Sequence, residues 1–151
     1  MITRAEIVSE ARAWVGTPYQ HQAHLRGVGC DCGGLIGGVA VALGIVPPDW
    51  WDTEFARHAG YARQPTGDSL IDVLSEFMTA TDPDTAQAGD VVVMRFKLHP
   101  AHVGFLADYV HGGLSLIHAL NGIGVRVVTE HRIDAQWRNR VTHAFKMPGV
   151  N

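Results

Sequence analysis

Apolar positions along this chain change their period once, and the change divides it into a helical half and a strand half. Behind the capping-box pattern Thr3-Arg4-Ala5-Glu6, the residues Ile7, Val8, Ala11, Trp14 and Val15 recur at helical spacing, and Gly16 ends the run. Thr17-Pro18-Tyr19 opens a loop that lasts to Asp31 and is loosened by Gly27 and Gly29. A second helix spans Cys32 to Leu43, with Gly44 as its stop. Gly33, Gly34, Gly37 and Gly38 lie inside it, each costing about 1 kcal/mol relative to alanine. Four such residues predict that a sheet backbone approaches the helix closely. Pro47-Pro48-Asp49-Trp50-Trp51 is a turn, and irregular surface follows to Gly67. Asp68-Ser69-Leu70 opens a third helix, with Leu70, Val73, Leu74 and Phe77 on one face and Thr81-Asp82-Pro83-Asp84 closing it.

From Gly89 onward the pattern is strand-like. It predicts strands over Asp90–Phe96, His102–Tyr109, Leu114–Leu120, Val125–Thr129 and Val141–Met147. Asn121-Gly122 is a turn signal, and Trp137 and Arg138 fall between the last two strands. Helices first and an antiparallel meander of about five strands afterwards predict one α+β domain over residues 1–151. No internal repeat, linker or low-complexity segment interrupts it.

Composition narrows the class. The 151 residues are 46% hydrophobic and 18% charged, enough for a packed core. A formal net charge of −3 offers no basic field, which argues against nucleic acid as a partner. The first residues, Met1-Ile2-Thr3-Arg4-Ala5-Glu6, lack the apolar stretch of a secretory signal, and the longest apolar run, from Gly33 to Pro48, is too short and glycine-broken to span a bilayer. The expectation is a soluble protein made in the cytoplasm, without a membrane partner. The two cysteines, Cys30 and Cys32, are one residue apart, a spacing that would strain a mutual disulfide.

The chemistry concentrates at Gly29-Cys30-Asp31-Cys32-Gly33-Gly34. Asp31 is a good N-cap, which puts Cys32 at the first helical position. There the helix dipole and free N–H groups favour a thiolate and are expected to lower the thiol pKa. The base and its orienting group come from Ala101-His102-Val103-Gly104-Phe105 and Leu116-Ile117-His118-Ala119. The pattern therefore predicts a cysteine hydrolase, with Cys32 as nucleophile, His102 as base and His118 as orienter. Plainer roles go to the other candidates. Cys30 is structural or idle, and Cys-x-Cys without a second pair is poor zinc spacing, so neither metal nor cofactor is expected. His21, His24, His58, His111, His131 and His143 are surface or locally bonded groups, and His99 is a rim residue. Trp50, Trp51 and Trp137 are packing anchors rather than a carbohydrate platform.

Thr17-Pro18-Tyr19, Asp31-Cys32-Gly33-Gly34-Leu35, Ala88-Gly89-Asp90-Val91-Val92, His102-Val103-Gly104 and Ile117-His118-Ala119 occur in that order. In this the chain resembles the papain-like NlpC-type cell-wall peptidases over nearly its whole length. Gly16-Thr17-Pro18-Tyr19-Gln20-His21-Gln22 and Gly27-Val28-Gly29-Cys30-Asp31-Cys32 look closest to the branch found in phage tails and gene transfer agents. The resemblance implies Cys32, His102 and His118 as catalytic residues. It further implies Tyr19 lining the site near the attacked carbonyl and Asp31 binding the substrate's free amine. Gly33 stands where relatives often carry serine, which bears on substrate preference. The implied activity is cleavage of peptidoglycan stem peptides after γ-linked D-glutamate, with other tail proteins as partners and delivery to the cell wall on a phage-like particle. A reading from another class is a tail-tip structural or assembly component whose peptidase site is vestigial.

Register supplies an independent expectation. Opposed residues in an antiparallel pair have numbers of constant sum. His102 directly opposite His118 requires a connection centred on Val110, whereas a tight turn at Gly112-Gly113 would set Ala107 opposite His118. The triad therefore predicts a long or bulged connection across Asp108 to Gly112, with Asn121 as the substitute orienter if it is absent. The thiol and imidazole are expected to rest as an ion pair or to form one as substrate arrives.

Overall fold

The computed structural model describes residues 1–50, 52–53, 69–96 and 100–150. Trp51, His58, Asp68 and His99 lie outside the described residues.

The N-terminal helix α1 (Arg4–Ala13) starts as its sequence dictates. The Thr3 side chain accepts from the Glu6 N–H, and the Glu6 carboxylate accepts in return from the Thr3 N–H at 2.7 Å. Ile7, Val8 and Ala11 are buried, and Trp14 follows them into the core, but Val15 turns outward. Helix α2 (Cys32–Ala42) is buried along most of its length, and Gly44 after its C-cap adopts φ +70°, the left-handed conformation that suits glycine. Two of its glycines do admit close neighbours, though not a sheet backbone. A Cβ on Gly34 would collide with the Ala23 carbonyl, and one on Gly38 with the Trp14 ring. The glycines let the preceding loop and α1 press against the helix. Helix α3 (Ser69–Phe77) buries Leu70, Val73 and Leu74, with Phe77 against the same core. No helix among the described residues is long and apolar enough to cross a membrane.

Among the described residues the main sheet has six strands rather than about five, every neighbouring pair antiparallel. Strands β4 (Val91–Arg95), β5 (Pro100–Asp108), β6 (Leu114–Gly122) and β7 (Val125–Arg132) form the expected meander. The last strand, β8 (Val141–Lys146), returns to pair with β4 on the opposite side, and β3 (Thr79–Thr81) edges it. Strand β3 is three largely exposed residues, too short to show a period. Asn121-Gly122 is not the turn: both residues are paired in β6, and the two-residue loop is Ile123-Gly124. The loop before Cys32 holds a small hairpin, β1 (His24–Leu25) with β2 (Gly29–Cys30).

Both faces of the sheet are covered, which is why Val91 to Met94 are all buried instead of alternating. Val91, Val93, Val103, Phe105 and Ile117 face the helices, packed in one core with Ile7, Leu35 and Leu74. Val92, Met94, Leu106, Leu116 and Ala144 face the other way, beneath Ile133 and Trp137. A half-buried ion pair holds α1 to the sheet: Arg4 Nη1 meets Asp90 Oδ1 at 2.6 Å and also donates to the Ala88 carbonyl. The motif Ala88-Gly89-Asp90 is thus a docking point for the first helix. Gly89, at φ +92°, passes so close that a Cβ would meet Arg4 at 2.9 Å.

Candidate active site

Local chemistry places Cys32. Asp31 has extended backbone geometry, and its Oδ1 accepts from Gly34 N–H at 2.7 Å, so the helix begins at the cysteine. The other oxygen accepts from Gln22 N–H at 2.7 Å, and Asp31 is only 1% exposed. Gln22 accepts a φ of +61° to make that contact. Tyr19 is bridged to Cys30, at the edge of the same loop, and packs on the core from a half-buried position. Gly33 is buried and its N–H reaches the Cys32 sulfur.

The sheet opens to receive that sulfur. Leu106 N–H donates to the Asp90 carbonyl, so the even residues of β5 direct their amides toward β4. The odd ones, by alternation, face β6. The β5–β6 ladder ends at the pair Phe105 and Ile117. Val103 lies past that end, and its N–H meets the Cys32 sulfur instead of a strand. The nucleophile candidate therefore sits at the backbone immediately beside His102. Also next to His102, the β4–β5 register slips between Met94, paired with His102, and Arg95, paired with Pro100. Such a bulge re-aims the side chains beside it.

The imidazoles meet, but not as directly opposed neighbours. Phe105 faces Ile117, a sum of 222, which continued by one residue sets His118 opposite Gly104. The connection Tyr109–Gly113 is long, as expected, yet centred on His111 and not Val110. His102 reaches His118 along the diagonal, with His102 Nε2 and His118 Nδ1 2.7 Å apart. Gly104 makes room for this: a Cβ there would meet His118 Cβ and the Ile117 carbonyl, each at 2.9 Å. Asn121 is exposed at the far end of β6.

His131, expected from the sequence to be a surface or locally bonded group, is locally bonded and also belongs to the same group. Its Nε2 lies 2.8 Å from His118 Nε2, and its Nδ1 lies 3.0 Å from the Arg132 carbonyl. It too is a diagonal neighbour, because His118 pairs with Thr129 two residues away. No sequence signal nearby announces it. His111 stacks edge-on with Tyr109 and His143 bonds Thr142, both local as expected, whereas His24 and His21 sit 3.7 and 3.9 Å from the more distant Asp52 and Asp31. Trp137, on the short helix α4 (Ala135–Arg138), packs on both His118 and His131 at 5.0 Å between ring centroids. Phe96 closes on His102 at 5.2 Å, and the Arg140 guanidinium lies over Phe96. Trp50 is a buried anchor against Phe77.

This aromatic cover sets the electrostatics. Burial pushes His102 down to about 4. His118 is driven far below the ordinary imidazole range by burial first, then by its two histidine neighbours. The Cys32 thiol is pushed up, to about 12, by burial and then by the nearby Asp31 carboxylate. The N–H groups of Val103, Gly33 and Cys32 act in the opposite direction without overcoming it. The helix terminus therefore does not outweigh burial: the shifts favour the neutral thiol at Cys32 and neutral rings at His102 and His118. Cys30 is fully buried in the core, a free thiol also pushed up to about 12 by burial.

The NlpC/P60 family model matches residues 16–145. A search of curated proteins found no match. Among solved structures, the chain resembles the NlpC/p60 domain of the peptidoglycan hydrolase SagA, with 22% identity, a TM-score of 0.62, and coverage of 97% of this chain and all of that one. It also resembles an N-acetylmuramoyl-L-alanine amidase from Bacteroides uniformis, at 12% identity and a TM-score of 0.62, covering 95% of this chain and 98% of that one. A lipoprotein-like NLP/P60 protein from Staphylococcus aureus is 19% identical with a TM-score of 0.60 over 95% of this chain. The chain spans 41% of that protein's length. The fold is thus the papain-like α+β arrangement shared by these neighbours. With a match that takes in the helix-terminal cysteine and both strands carrying His102 and His118, this chain belongs to the NlpC/P60 family.

Proposed function

We propose that this protein is a cysteine hydrolase that cleaves an amide bond in peptidoglycan stem peptides, with Cys32 as nucleophile, His102 as base and His118 as its orienter. The observation that carries this is the Cys32 sulfur lodged at the open end of the β5–β6 ladder, one residue along from a histidine already bonded to a second one. SagA is described as a peptidoglycan hydrolase and the Bacteroides uniformis protein as an amidase, which favours this substrate class.

The resting neutral pair means that charge separation accompanies substrate binding. His102 takes the thiol proton as sulfur attacks the carbonyl, then delivers it to the leaving amine, and water releases the acyl group from sulfur. With Gly34 N–H held by Asp31 and Gly33 N–H directed at the sulfur, the Cys32 backbone N–H at the helix start is the donor that stabilises the developing oxyanion. The motif resemblance assigns the substrate's free amine to Asp31 and the site lining to Tyr19. Asp31 is buried with its oxygens on Gly34 and Gln22 N–H, so the role its contacts support is holding the head of α2 and the loop before it. A γ-D-glutamyl bond is the preferred target on the strength of the motif resemblance. The loop motifs Gly16–Gln22 and Gly27–Cys32 further support a place in a phage-like tail and delivery to the cell wall.

Mass spectrometry of muropeptides digested by the wild type and by Cys32→Ala tests this. Cleavage by the wild type alone, with the new termini at the γ-D-glutamyl bond, is the expected result. Equal cleavage by both proteins, or by neither across a range of pH and reductant, would overturn it.

A further inference from the structure

The hydrogen bonds among His102, His118 and His131 have a direction, and the backbone selects it. A neutral imidazole has one donor nitrogen and one acceptor. A carbonyl oxygen only accepts, so His131 Nδ1, 3.0 Å from the Arg132 carbonyl, carries the proton. His131 Nε2 is then an acceptor, and the group 2.8 Å away, His118 Nε2, must be the donor. His118 Nδ1 is therefore an acceptor, and His102 Nε2, at 2.7 Å, donates to it. That leaves His102 Nδ1 without a proton. It is the ring nitrogen nearer the backbone, where the Cys32 sulfur contacts Val103. The reverse order would set a lone pair of His131 against the carbonyl oxygen and put a proton on the nitrogen that must receive one from the thiol.

We propose that His131 is a positioning residue of the site: its bond to the Arg132 carbonyl orients the whole line of imidazoles and keeps His102 Nδ1 free of a proton, as the base of a thiol must be. This rests on the cysteine hydrolase reading. His131 is half-buried at one end of the line, with the Trp137 ring from α4 and His118 from β6 packed against it. His131 also gives the line a contact with solvent that the buried His118 lacks. When His102 takes the thiol proton, each ring can pass its shared proton one step along, so that the positive charge reaches His131. No proton is gained or lost in the transfer.

Long-range nitrogen-15 spectra of histidine-labelled protein at pH 8 read the tautomers directly. The expected result is a proton on Nε2 of His102 and His118 and on Nδ1 of His131. His131→Phe keeps a ring against Trp137 but removes the acceptor, and its melting point serves as a folding control. It is expected to slow iodoacetamide alkylation of Cys32 about tenfold at pH 7–8, and to lower kcat on muropeptides about 10–100-fold with KM unchanged. His131→Gln, whose carbonyl oxygen accepts from His118, restores most of both. A proton on His102 Nδ1 in the wild type, or wild-type alkylation by a folded His131→Phe, would overturn the proposal. The spectra and alkylation need no peptidoglycan, so a wild type inactive on muropeptides would fail the substrate reading while these measurements still decide the role of His131.

Discussion

Gly104→Ala is the sharpest test of the packing that brings the two central imidazoles together. The added Cβ would stand 2.9 Å from both His118 Cβ and the Ile117 carbonyl, and 3.1 Å from Leu116 Cδ1. The leucine methyl can rotate away, but the carbonyl belongs to the β5–β6 ladder and moves only if the strands part. Overpacking of this kind costs about 1–3 kcal/mol. Restricting the unfolded chain returns about 0.4–1 kcal/mol. A net loss of about 1–2 kcal/mol remains, or roughly 2–8 °C in melting temperature for a chain of this size. Gly122→Ala is the control on the neighbouring strand, where a Cβ would meet only the Val125 carbonyl at 3.9 Å. It should leave stability within about 0.5 kcal/mol or raise it slightly. Because relief comes from shifting His118, the 2.7 Å contact to His102 lengthens, and Cys32 alkylation at pH 7–8 should slow in Gly104→Ala alone. Differential scanning calorimetry and timed alkylation give both numbers. Equal melting points and equal alkylation rates for the two variants would refute the argument.

Other consequences are as direct. His102 binds its proton near pH 4 when folded but near its ordinary value, about 6.5, when unfolded, so between those limits the unfolded chain holds more protons and stability rises with pH. Melting scans should show a loss on the order of 3 kcal/mol from this group between pH 7 and 4, and a shallower slope in His102→Phe; a flat profile would contradict it. In the native protein iodoacetamide should modify Cys32 and spare Cys30, which has no exposed surface, with peptide mapping as the readout. Arg4→Ala leaves the Asp90 carboxylate, which is 2% exposed, with the Gln87 N–H but without its cation, and should cost about 3 kcal/mol by urea titration; a loss below 1 kcal/mol would show that the pair does not anchor α1.

What was legible in the sequence was legible because it is local. Asp31 caps α2 through an oxygen three residues from its partner, and Thr3 and Glu6 close α1 within one turn, so these ends are written in neighbouring residues. The two-residue strands near Cys32 and the three-residue β3 were not, since stretches that short have no measurable period. The glycines of α2 signalled close approach correctly, but what approaches, the Ala23 carbonyl and the Trp14 ring, comes from outside the helix. The expected depression of the thiol pKa was a local inference as well. It failed because burial and Asp31 outweigh a helix terminus once the surrounding shell is in place.

The sequence by itself determined the two-part α+β order, the helix limits and the position of Cys32 at the head of α2, all set by hydrogen bonds and apolar spacing over a few residues. Tertiary structure alone decided which histidines touch. Ring contacts along the diagonals from His102 to His118 and from His118 to His131 depend on two strand registers. Those registers are set by a five-residue connection, a two-residue turn and where each strand buries its apolar face. A shift of one residue in either would send the rings to opposite sides of the sheet without changing a single amino acid.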